Sequence, residues 1–562
     1  MPKHPAYVSV QIPAEIGHLP ATEKKALRHL VQAGRQIDEI YWHQNSPFAA
    51  SIRDLVQIAL RYSRPEEMPH LNRYLFQLNA HHGPHSKAEG NRKIFPTFSY
   101  SDLQGILSRA PKPSRAQYLS SLEELRQPIF SRTFQAVRPE GANFYHPLLD
   151  REFIEYETHR DDKLTPGVEH LHSVLTLTDK GDLKVTPYAE KYKQQLQVAA
   201  GHLEAASKVT ANRQLRKYLV AKARVLRKGY VGKYDPSDRL WLKLDSDIHM
   251  VLSPGVETYD DNMMGLKGAA RAVIMIKDKP RTAQLQKYRK LAGEFESSLP
   301  CKDDYKNSNQ STPPIDVVNA IYLGGQAHRI PHFIAFNLPN ERKYGYRIFI
   351  MKNSEEVRVT QTNYKIARKL MSQDQLGEFS LKDLQDASTL VTMLHEFSHS
   401  HGRLQGGTHD DIHAKLGEHY NRIEEGKAQI LGLFHLSNLV NRGFITEKQK
   451  RAAYFANVPS MLGTLRHGLG SAHTYGYAYI LNHFLDSGAV SERGDRYDID
   501  YEKMEKTIAK LAQKVLTIEG EGDYREAGRF LRKHAVVRPE VDRMLKPVKG
   551  LPHIVLEYPH AD

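Results

Sequence analysis

A single cysteine, Cys301, stands in a chain of 562 residues. A secreted protein of that size usually carries disulfides, so the scarcity points to a reducing, cytoplasmic setting. Cys301 lies in the polar stretch SSLPCKDDYKNS, which reads as a loop, and is expected to be an ordinary surface thiol. No uninterrupted apolar run is long enough to cross a bilayer. The N-terminal MPKHPAYVSVQIPAEIGHLP lacks the apolar core of a signal peptide. Zinc-finger spacing, an aromatic RNP-type motif and a phosphate-binding P-loop are all missing, as are internal repeats and long low-complexity segments. The net charge of +14 is spread among acidic residues. Its densest patch, RKYLVAKARVLRKGYVGK, reads as the solvated face of a helix, so neither nucleic acid nor a membrane is expected as a partner.

What is present is ordinary globular material, too much of it for one core. ATEKKALRHLVQAGRQIDEIYW and NSPFAASIRDLVQIALRYS repeat their apolar residues at helical spacing. A turn-rich stretch, NAHHGPHSKAEGNRKIFP, follows. A long helical pattern then runs from about Tyr188 to Arg227. The period changes in LWLKLD, RAVIMIKD, VVNAIYLGG and YRIFIMKN, which are short, β-branched and aromatic and read as strands between Arg239 and Lys352. From Asp383 the pattern is helical almost to the end. The expected organisation is an N-terminal helical region (1–235), a β-containing lobe (236–355), a second helical lobe (356–540) and a tail (541–562).

The densest chemistry lies in SLKDLQDASTLVTMLHEFSHSHG, a helical pattern expected to end near Gly402. His395, Glu396 and His399 spell H-E-x-x-H. Residues four apart share a helix face, so two imidazoles can meet one metal ion while the glutamate reaches a metal-bound water. Chance supplies this motif roughly 0.09 times in a chain of this composition, so alone it is only suggestive. A catalytic zinc needs a third protein ligand and an open position. The metzincin position, six residues on, is Gln405 and fails. Glu424 and Glu425, near the start of the helical stretch GEHYNRIEEGKAQILGLFHLSNLV, can supply it. His409 and His413 in THDDIH compete on spacing but read as surface residues.

Five separated motifs, in order, resemble the dipeptidyl peptidase III family of zinc metallopeptidases, especially its shorter bacterial members. HEFSH and EEGKAQ resemble the family's zinc helix and its E-E-C-R-A-E motif. GVETYDDNMMGLKGAARAVIMIKD resembles the E-[ST]-Y segment, AFNLPNER the N-x-P-N segment, and GSAHTYGYAYILNHFLDSGAV the A-H segment; QIDEIYWHQ matches the bacterial branch. The resemblance implies an α+β, mostly helical fold with two lobes around a wide cleft, the helical lobe binding zinc and the β-containing lobe contributing to substrate binding. It implies one zinc ion held by His395, His399 and Glu425, with Glu396 as general base. His473 would help stabilise the transition state and Tyr259 would hydrogen-bond the developing oxyanion. Glu257 would pair with a peptide's α-amino group, and Asn337 and Asn340 would hold its backbone. The implied reaction is release of dipeptides from the N-termini of short peptides. Read without the family, Tyr259 begins a strand, Asn337 and Asn340 belong to a turn, and His473 is an ordinary helix-start residue.

Three departures bear on this. The family's best-known members have three residues between the glutamate and the second histidine; here there are two. Residues four apart on a regular helix differ by about 40° in direction, whereas five apart differ by about 140°, so the short form suits a regular helix. Gln429 stands where the family motif ends in glutamate, and the N-terminal third matches weakly. The alternatives left open are a zinc hydrolase of the same fold with a non-peptide substrate and a peptide-binding protein with little turnover.

Overall fold

The computed structural model describes residues 7–159, 167–229, 235–307, 313–328, 330, 332–339, 345–402 and 409–559. The expected Asn340 lies outside the described residues. The fold is mostly helical with a curled β-sheet. The chain divides into two compact units. A C-terminal unit comprises Met1–Val8, Asp278–Asn319 and Ile334–Ile554; an N-terminal unit comprises Ser9–Lys277, Ala320–Phe333 and Val555–Asp562. The segment 236–355, expected as one lobe, is therefore divided between them. No described helix is long and apolar enough to cross a membrane.

In the C-terminal unit the helix carrying HEFSH runs from Leu381 to Ser398. It starts where the Ser380 hydroxyl oxygen accepts a hydrogen bond from the Asp383 amide and the Asp383 carboxylate accepts one from the Ser380 amide, a reciprocal cap that satisfies two free amides. Leu384, Ala387, Val391, Leu394 and His395 recur at helical spacing and are buried. The helix packs on Tyr420–Asn441, which carries EEGKAQ, and on Glu447–Leu465. The EEGKAQ helix also packs on Ala472–Asp486 and Tyr501–Glu521. It is buried almost all round, from Ile423 to Leu436, as suits a helix at the centre of a bundle. The start of strand Ile315–Gly325 pairs in parallel with Arg347–Met351, Ile315 facing Ile348. Arg347–Met351 pairs antiparallel with Ala335–Leu338, Asn337 facing Ile348. The HEFSH helix packs against both of these last strands.

In the N-terminal unit the helix Ala21–Asn45 packs on Lys193–Val209 and on the antiparallel strands Ile248–Glu257 and Ala269–Lys277. Several sequence expectations change here. The Tyr188–Arg227 pattern breaks into separate helices because Glu23 captures the Thr210 hydroxyl and the Ala211 amide, and Asn212 then caps Arg213–Lys228. LWLKLD, expected as a strand, begins inside the short helix Asp238–Leu242. Its apolar alternation fits either period, and the Trp241 indole donating to the Met250 carbonyl (2.8 Å) holds the helical turn. The hairpins Ser173–Leu177/Leu183–Pro187 and, in the C-terminal unit, Val490–Arg493/Arg496–Ile499 were not expected.

Two buried imidazoles, one per unit, make the fold acid-sensitive. Burial pushes His172 down to about 3 and His553 down to about 4, the second helped by the charge of Arg466. In the unfolded chain both titrate near about 6.5, so the unfolded state takes up protons first as pH falls. Stability should drop from about pH 6.5 downward by up to ~1.4 kcal/mol per pH unit for each residue, until the folded pKa is reached. Thermal midpoints of wild type and His172→Gln, compared at about pH 7 and about pH 5, test this. The variant's midpoint should fall less; an equal fall would remove His172 from the account.

Candidate metal centre

His395 lies in the last turn of its helix and is buried; Glu396 follows, half-buried; His399 is the C-cap residue, still in right-handed helical geometry (φ −61°, ψ −22°). The four-residue spacing therefore keeps both imidazoles on one side, their ring centroids 4.9 Å apart. Gly402, expected to end the helix, lies just beyond it with φ +88°. Glu425 comes from the central helix. His473 sits at the second position of Ala472–Asp486, whose start Ser471 caps reciprocally with Thr474. The Glu425 Oε2 atom lies 3.4 Å from His395 Nε2, 3.8 Å from His399 Nε2 and 3.1 Å from His473 Nε2.

Two glycines bring these helices together. A Cβ at Gly432 would stand 3.0 Å from the His395 backbone nitrogen, and one at Gly426 would overlap the Tyr479 hydroxyl. A Cβ at Gly476 in turn would stand 2.9 Å from the backbone of Gly426. The central helix thus touches the HEFSH helix at one glycine and the A-H helix at another. Close backbone approach of this kind is open only to residues without a side chain.

The rings are oriented from behind. His395 Nδ1 faces Gln429 Oε1 at 3.1 Å, and the Gln429 amide donates to Asn457 Oδ1 at 2.7 Å. His399 Nδ1 faces Glu424 Oε1 at 2.8 Å. With acceptors at both Nδ1 atoms, the protons sit there and both Nε2 lone pairs point to Glu425, the arrangement metal-ligating histidines adopt. The donor atoms of His395, His399 and Glu425 all lie within 4.8 Å of one another. A tetrahedral zinc with bonds of about 2.0–2.1 Å has ligand–ligand edges of about 3.3 Å, close to the 3.4 and 3.8 Å found. No hydrogen bond of good geometry reaches the buried Oε2 of Glu425. The residues fit a metal ion.

Electrostatics agree with that geometry. Burial pushes the Glu425 carboxyl up, but the charge of His473 and the neighbouring ring of His395 outweigh it and hold the group at about 2. Burial pulls His399 down, yet its hydrogen bond to Glu424 and the charges of Glu425, Glu424 and Glu396 raise it overall. Burial lowers His473 against the opposing pull of Glu425. Glu424 is held well below the carboxylate range despite burial, chiefly by Lys427, while burial and the Glu424 charge push Glu519 well up.

A model of the peptidase family M49 matches residues 168–440 of this chain. The structure is similar to that of DPP III from Caldithrix abyssi, with a TM-score of 0.81 and 25% identity, covering 99% of this chain and 97% of that one. That match and this likeness indicate that the chain is a peptidase, and the matched family implies a metal. The structure of dipeptidyl-peptidase III from Corallococcus sp. strain EGB is similar in fold (TM-score 0.76, 23% identity, 99% and 96% covered). Nudix hydrolase 3 from Arabidopsis thaliana is 28% identical over 94% of this chain and 70% of its own length.

The remaining expected site residues with described positions divide between the two units. Asn337, expected in the β-containing lobe with Glu257 and Tyr259, lies on the strand Ala335–Leu338 of the same unit as His395. Glu257 and Tyr259 belong to the N-terminal unit. Glu257 ends a strand beyond a bulge and has the Arg271 guanidinium 3.9 Å away. Tyr259, read as a strand start, is in a loop and 68% exposed. That loop is braced by neighbours the sequence did not single out. Tyr41 and Gln326 donate to the Asp260 carboxylate, at 2.9 and 2.8 Å. Asp261 accepts from Tyr145 and from the amides of Met263, Met264, Leu266 and Lys267. Cys301 is half-buried, and burial pushes its thiol up to about 11, away from nucleophilic use. His413 is exposed and rests on Tyr420.

Gly426→Ala tests the helix crossing. Overpacking at such a point costs roughly 1–3 kcal/mol. The thermal midpoint should fall and metal affinity should fall with it, because His473 and Glu425 are pushed apart. A variant as stable as wild type would show that the crossing tolerates a side chain.

Proposed function

We propose that His395, His399 and Glu425 hold one zinc ion and that the enzyme releases dipeptides from the N-termini of short peptides. The observation that carries this is the pair of imidazoles anchored at Nδ1, with both Nε2 atoms turned to one carboxylate oxygen. When bound, zinc supplies a Lewis acid that polarises a peptide carbonyl and makes water acidic near neutrality. Glu396, adjacent to a ligand histidine and half-buried, takes the proton of the attacking water and delivers it to the leaving amine. His473 meets the negative charge that develops on the carbonyl oxygen by donating a ring N–H to it.

The remaining roles rest on the family resemblance. Tyr259 donates a hydrogen bond to the carbonyl oxygen, Glu257 pairs with the α-amino group, and Asn337 and Asn340 hold the peptide backbone. Asn337 stands on a strand at one end of its sheet, a place where an extended peptide can add main-chain hydrogen bonds. An acidic group facing an ammonium measures distance from the N-terminus, which distinguishes dipeptide release from internal cleavage.

The decisive experiment incubates the zinc-loaded enzyme and Glu396→Ala with a mixture of short peptides and reads the products by mass spectrometry. Dipeptides should appear with wild type, and the variant should be slower by roughly 10²–10⁴-fold. Peptides with an acetylated N-terminus should resist cleavage. No peptide cleavage despite bound zinc would sink this reading and leave a hydrolase of another substrate.

Gln429→Glu probes the departure from the family motif. A carboxylate behind His395 makes the ring a better donor to a metal than an amide does. Asn457 can turn its amide to meet it, since its Nδ2 atom has no hydrogen bond now. Zinc should bind roughly 10-fold more tightly by chelator competition. Unchanged or weaker binding would show that burying the extra charge outweighs the gain.

A further inference from the structure

The two ligand histidines are held by unlike means. His395 lies within its helix and is backed by the neutral pair Gln429 and Asn457. His399 is the cap residue, where the helix has ended and the chain turns away. Its position depends on what holds its ring and what holds the backbone that leaves it.

Lys427 holds both. Its ammonium lies 2.8 Å from Glu424 Oε2, and the other oxygen of that carboxylate faces His399 Nδ1 at 2.8 Å. It also donates to the backbone carbonyl of His401 at 2.9 Å, two residues beyond the ligand. Its third neighbour is Glu519, at 3.1 Å, from the helix Tyr501–Glu521. The ammonium thus donates to the His401 carbonyl and to Glu519 Oε1 and forms an ion pair with Glu424. Lys427 is 1% exposed, Glu519 2% and Glu424 6%, so water does not compete for these contacts. The same glutamate pair, Glu424 and Glu425, thus serves the site twice, once toward the metal position and once toward Lys427.

We propose that Lys427, buttressed by Glu519, is a positioning residue that fixes the His399 arm of the metal centre from both the ring and the backbone side. This rests on the reading of His395, His399 and Glu425 as a metal site. Without Lys427 the Glu424 carboxylate has no cation to hold its second oxygen, and the His401 carbonyl loses its donor. The His399 Nε2 atom is then free to swing from its aim at Glu425. A purely structural lysine would support the bundle without biasing metal affinity. A positioning lysine changes metal affinity beyond any change in the stability of the metal-free fold.

The test measures zinc dissociation constants by competition with a chromophoric chelator, and thermal midpoints of the metal-free protein. It uses wild type, Lys427→Met, Lys427→Arg and Glu519→Leu. Lys427→Met should weaken zinc binding roughly 10–100-fold, the range for losing an outer partner of a ligand histidine. Lys427→Arg should restore most of it, and Glu519→Leu should show a smaller loss. Should Lys427→Met fail to fold, the double variant Lys427→Met/Glu424→Gln removes the stranded charge and should fold with the same weakened affinity. Wild-type zinc affinity in Lys427→Met, or in the double variant, with only a lowered midpoint would overturn the proposal while leaving the metal site intact. Failure of the wild type itself to bind zinc would overturn the metal reading and this inference with it.

Discussion

The close crossing of the EEGKAQ helix with its two neighbours is the contact on which the metal centre depends. Gly432 lets the HEFSH helix approach by its backbone, and Gly426 admits Tyr479 and the A-H helix on another side. Glu425 lies between those crossings and so meets His395, His399 and His473 together. Interiors pack densely and respond to a single added methyl group. A site whose three helices touch through glycine therefore has its ligand distances set by the backbone rather than by long side chains.

A helix crossing sets distance but not direction, and direction comes from buried polar partners behind the rings. Gln429 and Glu424 accept from the two Nδ1 atoms, one as an amide and one as a carboxylate. The amide needs an acceptor of its own and finds it in Asn457. The carboxylate needs a cation and finds it in Lys427. Each solution leaves its histidine in the tautomer that offers Nε2. They differ in the charge placed behind the ring, and so in the basicity each ligand brings to a metal.

Much of the candidate centre was legible in the chain because the residues proposed as its ligands come from regular helices. His395 and His399 repeat at four, and a regular helix converts that spacing into a shared face. Glu425 was one of two carboxylates, with Glu424, that the next helical stretch offered, and motif resemblance chose between them; His473 was reached through the resemblance alone. Asn457 and Glu519 carried no signal at all, and Lys427 none beyond its place in EEGKAQ. Asn457 and Glu519 are ordinary polar residues until they meet Gln429 and Lys427, 28 and 92 positions earlier. The N-terminal unit shows the same limit. The stretch LWLKLD alternates as a strand should, yet it begins in a helical turn whose Trp241 indole donates to the distant Met250 carbonyl. Asp260 and Asp261 were not singled out, yet they anchor the loop of Tyr259 through Tyr41, Gln326 and Tyr145.

By itself the sequence determined the class of protein and the identity of the ligand types. Local periodicity, helix caps such as Ser380 with Asp383, and the H-E-x-x-H spacing act over a few residues, and short-range physics suffices to read them. Tertiary structure alone decided which unit each substrate-binding candidate joined. It put Asn337 in the same unit as His395, while Glu257 and Tyr259 fell in the other. It also decided which nitrogen of each imidazole faces the metal position, because that choice is made by partners far away in the chain. Long-range packing brings those partners within hydrogen-bond distance, and no local pattern records that they will meet.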